Sequence, residues 1–391
     1  MWRSIASNAL TLFVVLLAVA AGILAWGRNQ YVGPGPLAEP ICLRVEKGAT
    51  VASLSKTLEE QQAISYGPIF RIGARYSGKS TELKFGSYLV PAGASMEQIL
   101  GIATRGGQST CGTEVNYRIG VLSSELVVRD LDPKTGRYEE MLSFDPAAAR
   151  APTEYAKVEA EPGTRFRVTL AEGVTSWQVV DALKRADFLD GKLADVPAEG
   201  SLLPDSYEVT KGSGREALIA EMRQRRATVL DEQWANRAEG LPYKTPEEAL
   251  VMASLVEKET GVPGERAEVA SVFVNRLDKG IRLQTDPAVI YGITKGKGAL
   301  GRGLRQSELR RKTPYNTYVI DGLPPTPICN PGRDAIKAAL HPAQTDYLYF
   351  VADGSGGHAF SSTLAEHNRN VANWRKIEAE RRKQEQDGSG N

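Results

Sequence analysis

Hydrophobic positions along this chain fall into three regimes. The first is one long run: no charge occurs over residues 4–27, and residues 9–26 are almost wholly apolar. That is about the ~18-residue lower bound of a membrane-spanning helix. Arg3 precedes the run, Arg28 follows it, and Trp2 and Trp26 stand where interfacial aromatics belong. The pattern predicts a retained anchor over 9–27, with 1–8 on the cytoplasmic side. Ala18-Val19-Ala20 resembles a signal-peptidase site, which is the competing reading, but apolar residues continue well past it. Either reading exports the rest of the chain.

The second regime alternates short strand and helix patterns. Gly33-Pro34-Gly35-Pro36 reads as a stiff spacer within a linker over 28–41. A module over 42–109 begins with the strand Cys42-Leu43-Arg44-Val45 and a turn at Lys47-Gly48. Helices over 51–61 and 68–75, a strand over 85–90 and a helix from Ser95 complete it. One phrase returns: Gly93-Ala94-Ser95 with Gln98 matches Gly173-Val174-Thr175 with Gln178, and Phe85-Gly86-Ser87-Tyr88 is echoed around Pro204-Asp205-Ser206-Tyr207. These are read as small βα units used more than once, and such units resemble LysM-type glycan-binding modules. Residues 110–161 read as a β insertion, with strands over 117–121 and 126–128 and a turn at Asp132-Pro133-Lys134-Thr135-Gly136. Residues 162–240 hold the second βα segment and a charged connecting helix that reaches Trp234.

The third regime, over 241–376, mixes helical and strand periods; a charged, disordered tail is expected over 377–391. Its clearest helix has Thr245 as N-cap, Pro246 at the first position, Glu248 completing a capping box, then the apolar run to Leu255-Val256, with Gly261 beyond. At helical spacing Glu257 is in line with Leu250 and Ala253 and should face the core or a cleft, whereas Glu259 points to roughly the opposite side. Burial and the carboxyl end of the helix dipole would both raise the Glu257 pKa. An acid that keeps its proton near neutral pH suits general acid catalysis on a poor leaving group; the alternative is a solvated charge at a helix end. Downstream, Asp286 reads as an N-cap, Tyr315-Asn316-Thr317-Tyr318 as a strand or hairpin arm, 347–351 as a strand, and Gly356-Gly357-His358 as a turn. The fold class is α+β: an N-terminal transmembrane helix, small LysM-like βα modules with a β insertion, and a C-terminal mixed α+β domain.

Composition adds exclusions. The 391 residues are 42% hydrophobic and 24% charged with a formal net charge of +1, which gives no basic footprint for nucleic acid. Three cysteines, Cys42, Cys111 and Cys329, allow at most one internal bridge. Cys42–Cys111 is the favoured pair because both flank the first module; three reduced thiols are the alternative. His341, His358 and His367 lack metal-ligand spacing, and no segment reads as a pyridoxal-phosphate site, so neither metal nor cofactor is expected.

Several stretches occur together in a telling order. They are Leu255-Val256-Glu257-Lys258-Glu259-Thr260, Val272-Phe273-Val274-Asn275-Arg276-Leu277, Leu283-Gln284-Thr285-Asp286-Pro287, Tyr315-Asn316-Thr317-Tyr318 with Gly322-Leu323-Pro324-Pro325, and Tyr347-Leu348-Tyr349-Phe350-Val351 with Gly357-His358. Together they resemble the YceG-like family of endolytic murein transglycosylases, densely over the C-terminal half and more loosely at 168–173 and 204–207. The insertion departs from that pattern. The resemblance implies cleavage of the β-1,4 bond between N-acetylmuramic acid and N-acetylglucosamine inside nascent peptidoglycan strands, leaving 1,6-anhydro ends. It implies Glu257 as the catalytic acid, a place in the cell inner membrane with the catalytic domain in the periplasm, and a penicillin-binding glycan synthase as neighbour. One acid suffices when the sugar's own 6-hydroxyl attacks, whereas an ordinary glycosidase needs two carboxyls. Gln284, Asp286, Tyr315, Asn316, Tyr318 and His358 are candidate substrate contacts, since amides bind N-acetyl groups and tyrosines stack on sugars; strand packing and N-capping are the structural alternatives. A hydrolytic muramidase on the same site and a non-catalytic wall-binding scaffold at the membrane are the competing functions.

Overall fold

The computed structural model describes residues 2–105, 109–148, 150–161 and 163–388. Parts of five expectations lie outside them: Met1 of the N-terminal segment, 106–108 at the end of the first module, 149 within the insertion, 162 at the start of the second βα segment and 389–391 of the tail. The chain divides into two compact units. One comprises Met1–Val115, Val127–Ser143 and Ala151–Arg165; the other comprises Asn116–Leu126, Phe144–Arg150 and Phe166–Asn391.

The first unit opens with helix α1 (Trp2–Val32). Its segment Leu10–Val32 is long and apolar enough to cross a membrane, and none of its most apolar window is buried in the protein. A helix apolar on every side needs an apolar solvent, so this one fits a single-pass membrane anchor. The helix runs past Arg28, so the first part of the expected linker is helical. Gly35 is no free spacer either: its N–H donates to Gly93 O at 3.1 Å, and a β-carbon there would collide with the Ala94 carbonyl.

Strand β1 (Ile41–Val45), helices α2 (Val51–Glu60) and α3 (Gly67–Tyr76), strand β2 (Gly86–Val90) and helix α4 (Met96–Arg105) follow in the order the periodicity predicts. β1 and β2 pair antiparallel, Ile41 opposite Val90 and Val45 opposite Gly86. Leu43 and Val45 alternate inward with Leu54, Leu58, Phe70 and Ile99 to make the core of this module. The Cys42–Cys111 bridge ties β1 to the residues beyond α4, with 5.6 Å between α-carbons, and Cys329 is free and buried. Replacing both bridged cysteines with serine should lower the stability of this unit by roughly 2–4 kcal/mol, because a long loop is released in the unfolded chain. Thermal melts of the two proteins under non-reducing conditions measure it; equal midpoints would show that the bridge contributes nothing. The rest of this unit is β: strands β3 (Thr113–Ile119), β4 (Ser124–Asp132) and β5 (Arg137–Phe144), the first two crossing into the second unit, and helix α5 (Thr153–Ala160), which the sequence reading missed.

In the second unit the ends of β3 and β4 join β6 (Arg165–Leu170) and, after α6 (Ser176–Arg185) and the short β7 (Leu189–Asp190), β8 (Ser206–Val209). β6 and β8 pair antiparallel, as β1 and β2 do. The repeated phrase is repeated in its hydrogen bonds. Gln98 N–H donates to Ser95 Oγ at 3.1 Å while Ser95 N–H donates to Gln98 Oε1 at 2.9 Å; Gln178 and Thr175 make the same reciprocal pair at 3.2 and 2.9 Å. Gly93 and Gly173 precede them with φ of +67° and +79°, a conformation that costs glycine little. Tyr88 and Tyr207 each send the phenol back to a carbonyl, Phe85 O at 3.1 Å and Leu203 O at 2.7 Å.

The short β9 (Ser213–Gly214) leads into α7 (Arg215–Ala235), then α8 (Pro246–Glu259), α9 (Arg266–Asp278), α10 (Asp286–Thr294), α11 (Gln306–Arg310), α12 (Arg333–Leu340), the antiparallel hairpin β10 (Tyr349–Ala352) and β11 (His358–Ser361), and α13 (Leu364–Gly388). α8 is central. Leu250, Met252, Ala253, Leu255 and Val256 are buried against Val269 and Phe273 of α9 and Ile336 and Leu340 of α12. Three local expectations change. Residues 315–318 are turns rather than a strand, because Thr317 is bound to another loop: it accepts from Gln284 N–H through its carbonyl at 3.1 Å and from Thr285 N–H through its hydroxyl at 2.9 Å. The N-cap of α10 is Thr285, whose hydroxyl accepts from Ala288 N–H, so Asp286 is the first helical residue and not the cap. α13 stays helical over most of the stretch expected as a disordered tail.

Candidate active site

Helix α8 begins as its sequence dictates: Thr245 Oγ1 accepts from Glu248 N–H at 3.2 Å and Pro246 occupies the first turn. Glu248 reaches one residue further back than a capping box requires, accepting from Lys244 N–H at 2.6 Å. At the other end the backbone turns extended at Thr260, which leaves Glu257 in the final turn. Its side chain is 5% exposed. One oxygen, Oε2, accepts from Gly332 N–H at 2.8 Å, the N-terminal cap position of α12. The other, Oε1, lies 3.8 Å from Arg266 Nη2. That guanidinium, itself 8% exposed, binds Glu172 Oε2 at 3.0 Å, and the Glu172 side chain is 42% exposed. Glu172 belongs to the turn after β6. The next residue, Gly173, is held by Asn330 O through its N–H at 3.0 Å and by Lys258 Nζ through its carbonyl at 3.3 Å.

Two glycines make this packing possible. A β-carbon on Gly332 would run into the Glu172 carboxyl, and one on Gly173 would touch Glu257 Cγ at 3.7 Å. The backbone therefore closes on both acids, and the N–H of α12 reaches Glu257 directly.

Burial is the largest influence on Glu257 and pushes its pKa above the usual carboxylate range. The Gly332 N–H works against it, the Glu172 charge works with it, and Arg266 and Lys258 oppose. The direction matches the sequence argument, and the charge of a second acid, Glu172, adds to it.

Glu259 points away from Glu257, and the face it occupies is covered: burial pushes its pKa up to about 7, Asp286 adds to the rise, and a hydrogen bond from Thr285 and the Arg276 charge hold it back. The opposite face of α8 is covered by α10 and the 315–318 turn, a cover that helical spacing alone does not reveal.

The candidate substrate residues separate into groups. Asp286 and Tyr318 are joined, the phenol donating to the Asp286 carboxylate at 2.7 Å beside Glu259. Gln284 is exposed and sits at φ +53°, strained for a residue other than glycine and held by the Thr317 carbonyl. Tyr315 packs its ring at a tilt against Tyr291, lies under Lys295 Nζ at 4.7 Å and bonds Thr326 Oγ1 at 2.8 Å. Asn316 is wholly buried and gives its amide to the carbonyls of Glu308, Leu309 and Arg311 at 3.0, 3.1 and 2.7 Å. It clamps a loop and has nothing left for a sugar. His358 Nδ1 is 2.8 Å from Glu265 Oε2, and its N–H donates to Oε1 at 2.9 Å. Since Glu265 adjoins Arg266 and is within 3.5 Å of Thr260 Oγ1, His358 belongs to the rim around the end of α8.

None of these candidates touches the Glu257 carboxyl. Glu172, Arg266, Lys258 and Gly332 do surround it, and sequence reasoning passed over all four. A signal existed for Glu172, which directly precedes the glycine of the repeated phrase; Arg266 shows only as a cation at the start of an apolar-faced helix. Among the described residues no group of three or more His, Cys, Asp or Glu side chains is arranged to hold a metal ion.

The sequence pattern that defines the YceG-like family matches residues 134–373, beginning inside the stretch read as an insertion. An endolytic murein transglycosylase of Bacillus subtilis (strain 168) is 29% identical over 339 residues, which cover 84% of this chain and 82% of the relative. Endolytic murein transglycosylases of Streptococcus pneumoniae strains D39 and R6 are each 28% identical over 343 residues, 85% of this chain and 58% of theirs. A putative yceG-like protein from Listeria monocytogenes, solved at 2.6 Å, is 26% identical and superposes with a TM-score of 0.44 over 85% of this chain and 99% of its own.

Proposed function

This chain belongs to the YceG-like family, and from that premise we propose that it is an endolytic murein transglycosylase in which Glu257 is both acid and base. The observation that carries the assignment to Glu257 is its setting: a side chain 5% exposed, at a helix end, gripped by one backbone N–H and with a pKa that burial raises. In the proposed reaction Glu257 gives its proton to the glycosidic oxygen as the bond from C1 of N-acetylmuramic acid to that oxygen breaks. The 6-hydroxyl of the same sugar then bonds to C1, and its proton passes to the Glu257 carboxylate, which restores the acid. The attack is intramolecular, so no second carboxyl is needed to hold a water, and proximity does most of the work.

Glu172 acts in this scheme as a positioning residue. It occupies Arg266, which otherwise is free to pair with Glu257, and its own charge disfavours a second anion beside it. Glu172→Gln should therefore lower the pKa of Glu257 by both routes. The reactive acid form is then lost at lower pH, and the alkaline limb of kcat/KM shifts downward, with a larger loss of rate at pH 8 than at pH 6. A variant whose profile only scales down, without moving, would leave Glu172 a structural residue. The same carboxylate is what favours the second reading, a hydrolytic muramidase with Glu172 as the second acid.

Anchoring by α1 in the cell inner membrane would place the second unit in the periplasm, where nascent strands emerge; the Cys42–Cys111 bridge supports an oxidising compartment. Cleavage there would terminate strand elongation beside a penicillin-binding glycan synthase, and the LysM-like βα modules would hold the strand. The deciding experiment is digestion of uncrosslinked peptidoglycan strands with mass analysis of the products. Internal cleavage with 1,6-anhydro ends supports the reading, reducing ends make the enzyme a hydrolase, and tight binding with no cleavage makes it a scaffold.

A further inference from the structure

Within the first unit, the end of α1 is packed against the folded module. The Trp26 and Tyr66 rings meet edge to face with their centres 5.3 Å apart, and a β-carbon on Gly73 would run into the Tyr31 ring. Tyr66 is the N-cap of α3 and Gly73 lies inside that helix, so α3 packs along the last turns of α1. Trp26 belongs to the apolar segment Leu10–Val32 and stands six residues before its end, roughly 9 Å along the helix axis. α3 therefore starts at the level of the anchor and not above it. In a bilayer that level is the headgroup zone, where Trp and Tyr rings keep one side apolar and the other wet.

The outward side of α3 suits that zone. Ile69, Ile72 and Tyr76 recur at helical spacing and form one stripe. Ile69 packs partly on the core of the module, but Ile72 is 68% exposed, Tyr76 is 95% exposed, and Tyr66 at the start of the helix is 45% exposed. Beside this apolar row Arg71 and Arg75 stand one turn apart, both exposed, and α3 itself contains no acid. Arg71 gives one donor to Ser55 Oγ at 3.0 Å. Glu59 spends its carboxylate on Gly67 N–H at 2.7 Å, and Glu97 of α4 acts on Tyr31 of α1. An apolar row flanked by cations matches a lipid surface: the row enters below the phosphates, and the guanidiniums reach up to them. A helix of 10 residues binds a membrane weakly by itself, but α1 already holds this one in place, so the contact is intramolecular.

We propose that α3 is a second membrane contact: Tyr66, Ile72 and Tyr76 enter the headgroup zone of the bilayer that α1 spans, and Arg71 and Arg75 hold lipid phosphates. The proposal rests on the anchor reading of α1, which vesicle flotation tests separately. The full chain carrying Ile72→Cys is labelled with a thiol-reactive fluorophore; Cys329 is buried, which keeps the label to position 72. The labelled protein is reconstituted, at high lipid excess, into vesicles of phosphatidylethanolamine and phosphatidylglycerol. A quencher is placed on the lipids either near the headgroup or deep in the acyl chain. The label should lose most of its emission to the shallow quencher and clearly less to the deep one. Combining Arg75→Glu with Tyr76→Glu, both at exposed positions that the core does not use, should abolish most of the shallow quenching while the protein still floats with the vesicles. Flotation without shallow quenching, or quenching indifferent to the two glutamates, overturns the contact and leaves the anchor standing. A label that lipid quenchers do not reach, and that becomes exposed as the protein is diluted with lipid, would mean that a second copy covers α3, and it overturns the contact as well. Failure to float would refute the anchor reading and this contact together.

Discussion

Glycan cleavage should fall by roughly 10²–10⁴-fold in Glu257→Gln, the range that general acid–base assistance supplies. Glutamine keeps the length of the side chain and a carbonyl oxygen for the Gly332 N–H, so the bond at 2.8 Å can survive. What it lacks is a proton that can leave and return. The fold should tolerate the change, because the site already disfavours charge on that carboxyl through burial and the neighbouring Glu172. Two controls make the result specific: circular dichroism and thermal melting must match the wild type, and products must be scored as 1,6-anhydro ends rather than as bulk solubilisation. Substantial anhydro product from a well-folded Glu257→Gln protein would sink the mechanism, whatever the family to which the chain belongs.

Glu259→Gln should alter stability far more than chemistry, and in a pH-dependent way. With a folded-state pKa of about 7 against an ordinary 4.5, Glu259 binds its proton more tightly folded than unfolded. Its contribution to stability is complete below pH 4.5 and is lost as pH rises through 7. The difference corresponds to at most on the order of 3 kcal/mol. Glutamine is neutral throughout and loses nothing over that range. Relative to wild type, the variant should gain stability between pH 5 and pH 8, read from urea unfolding at each pH, while its cleavage rate stays within a few-fold of wild type. Parallel pH profiles for the two proteins would mean that Glu259 is not held protonated. The pair of substitutions also separates the two acids of one helix turn: Glu257 answers in rate and Glu259 in stability.

What the sequence by itself determined is what depends on short spacing. The cap Thr245 and the run behind it specify α8, alternation specifies β1 and β2, and a glycine three residues before a capped helix start is recognisable wherever it recurs, at Gly93 and at Gly173. These arrangements are made by hydrogen bonds and side chains within about four residues, so a reader of the chain has every partner in view. The inward aim of Glu257 follows from the same helical period, and the apolar run at the N-terminus needs no neighbour at all to be understood. The limits are equally physical. A one-residue difference in which of Thr285 and Asp286 caps α10 depends on Thr317, more than thirty residues away, which binds Thr285 from both sides. Asn316 looks like a sugar ligand until three carbonyls of its own loop are seen to consume its amide. Glu172 and Arg266 meet around Glu257 from a strand turn and a helix start that only tertiary packing brings together, with Gly332 admitted because it has no side chain. Spacing tells which way a side chain points from its own helix; only the packed structure decides what covers that face, and for Glu257 and Glu259 the cover sets which acid can do chemistry.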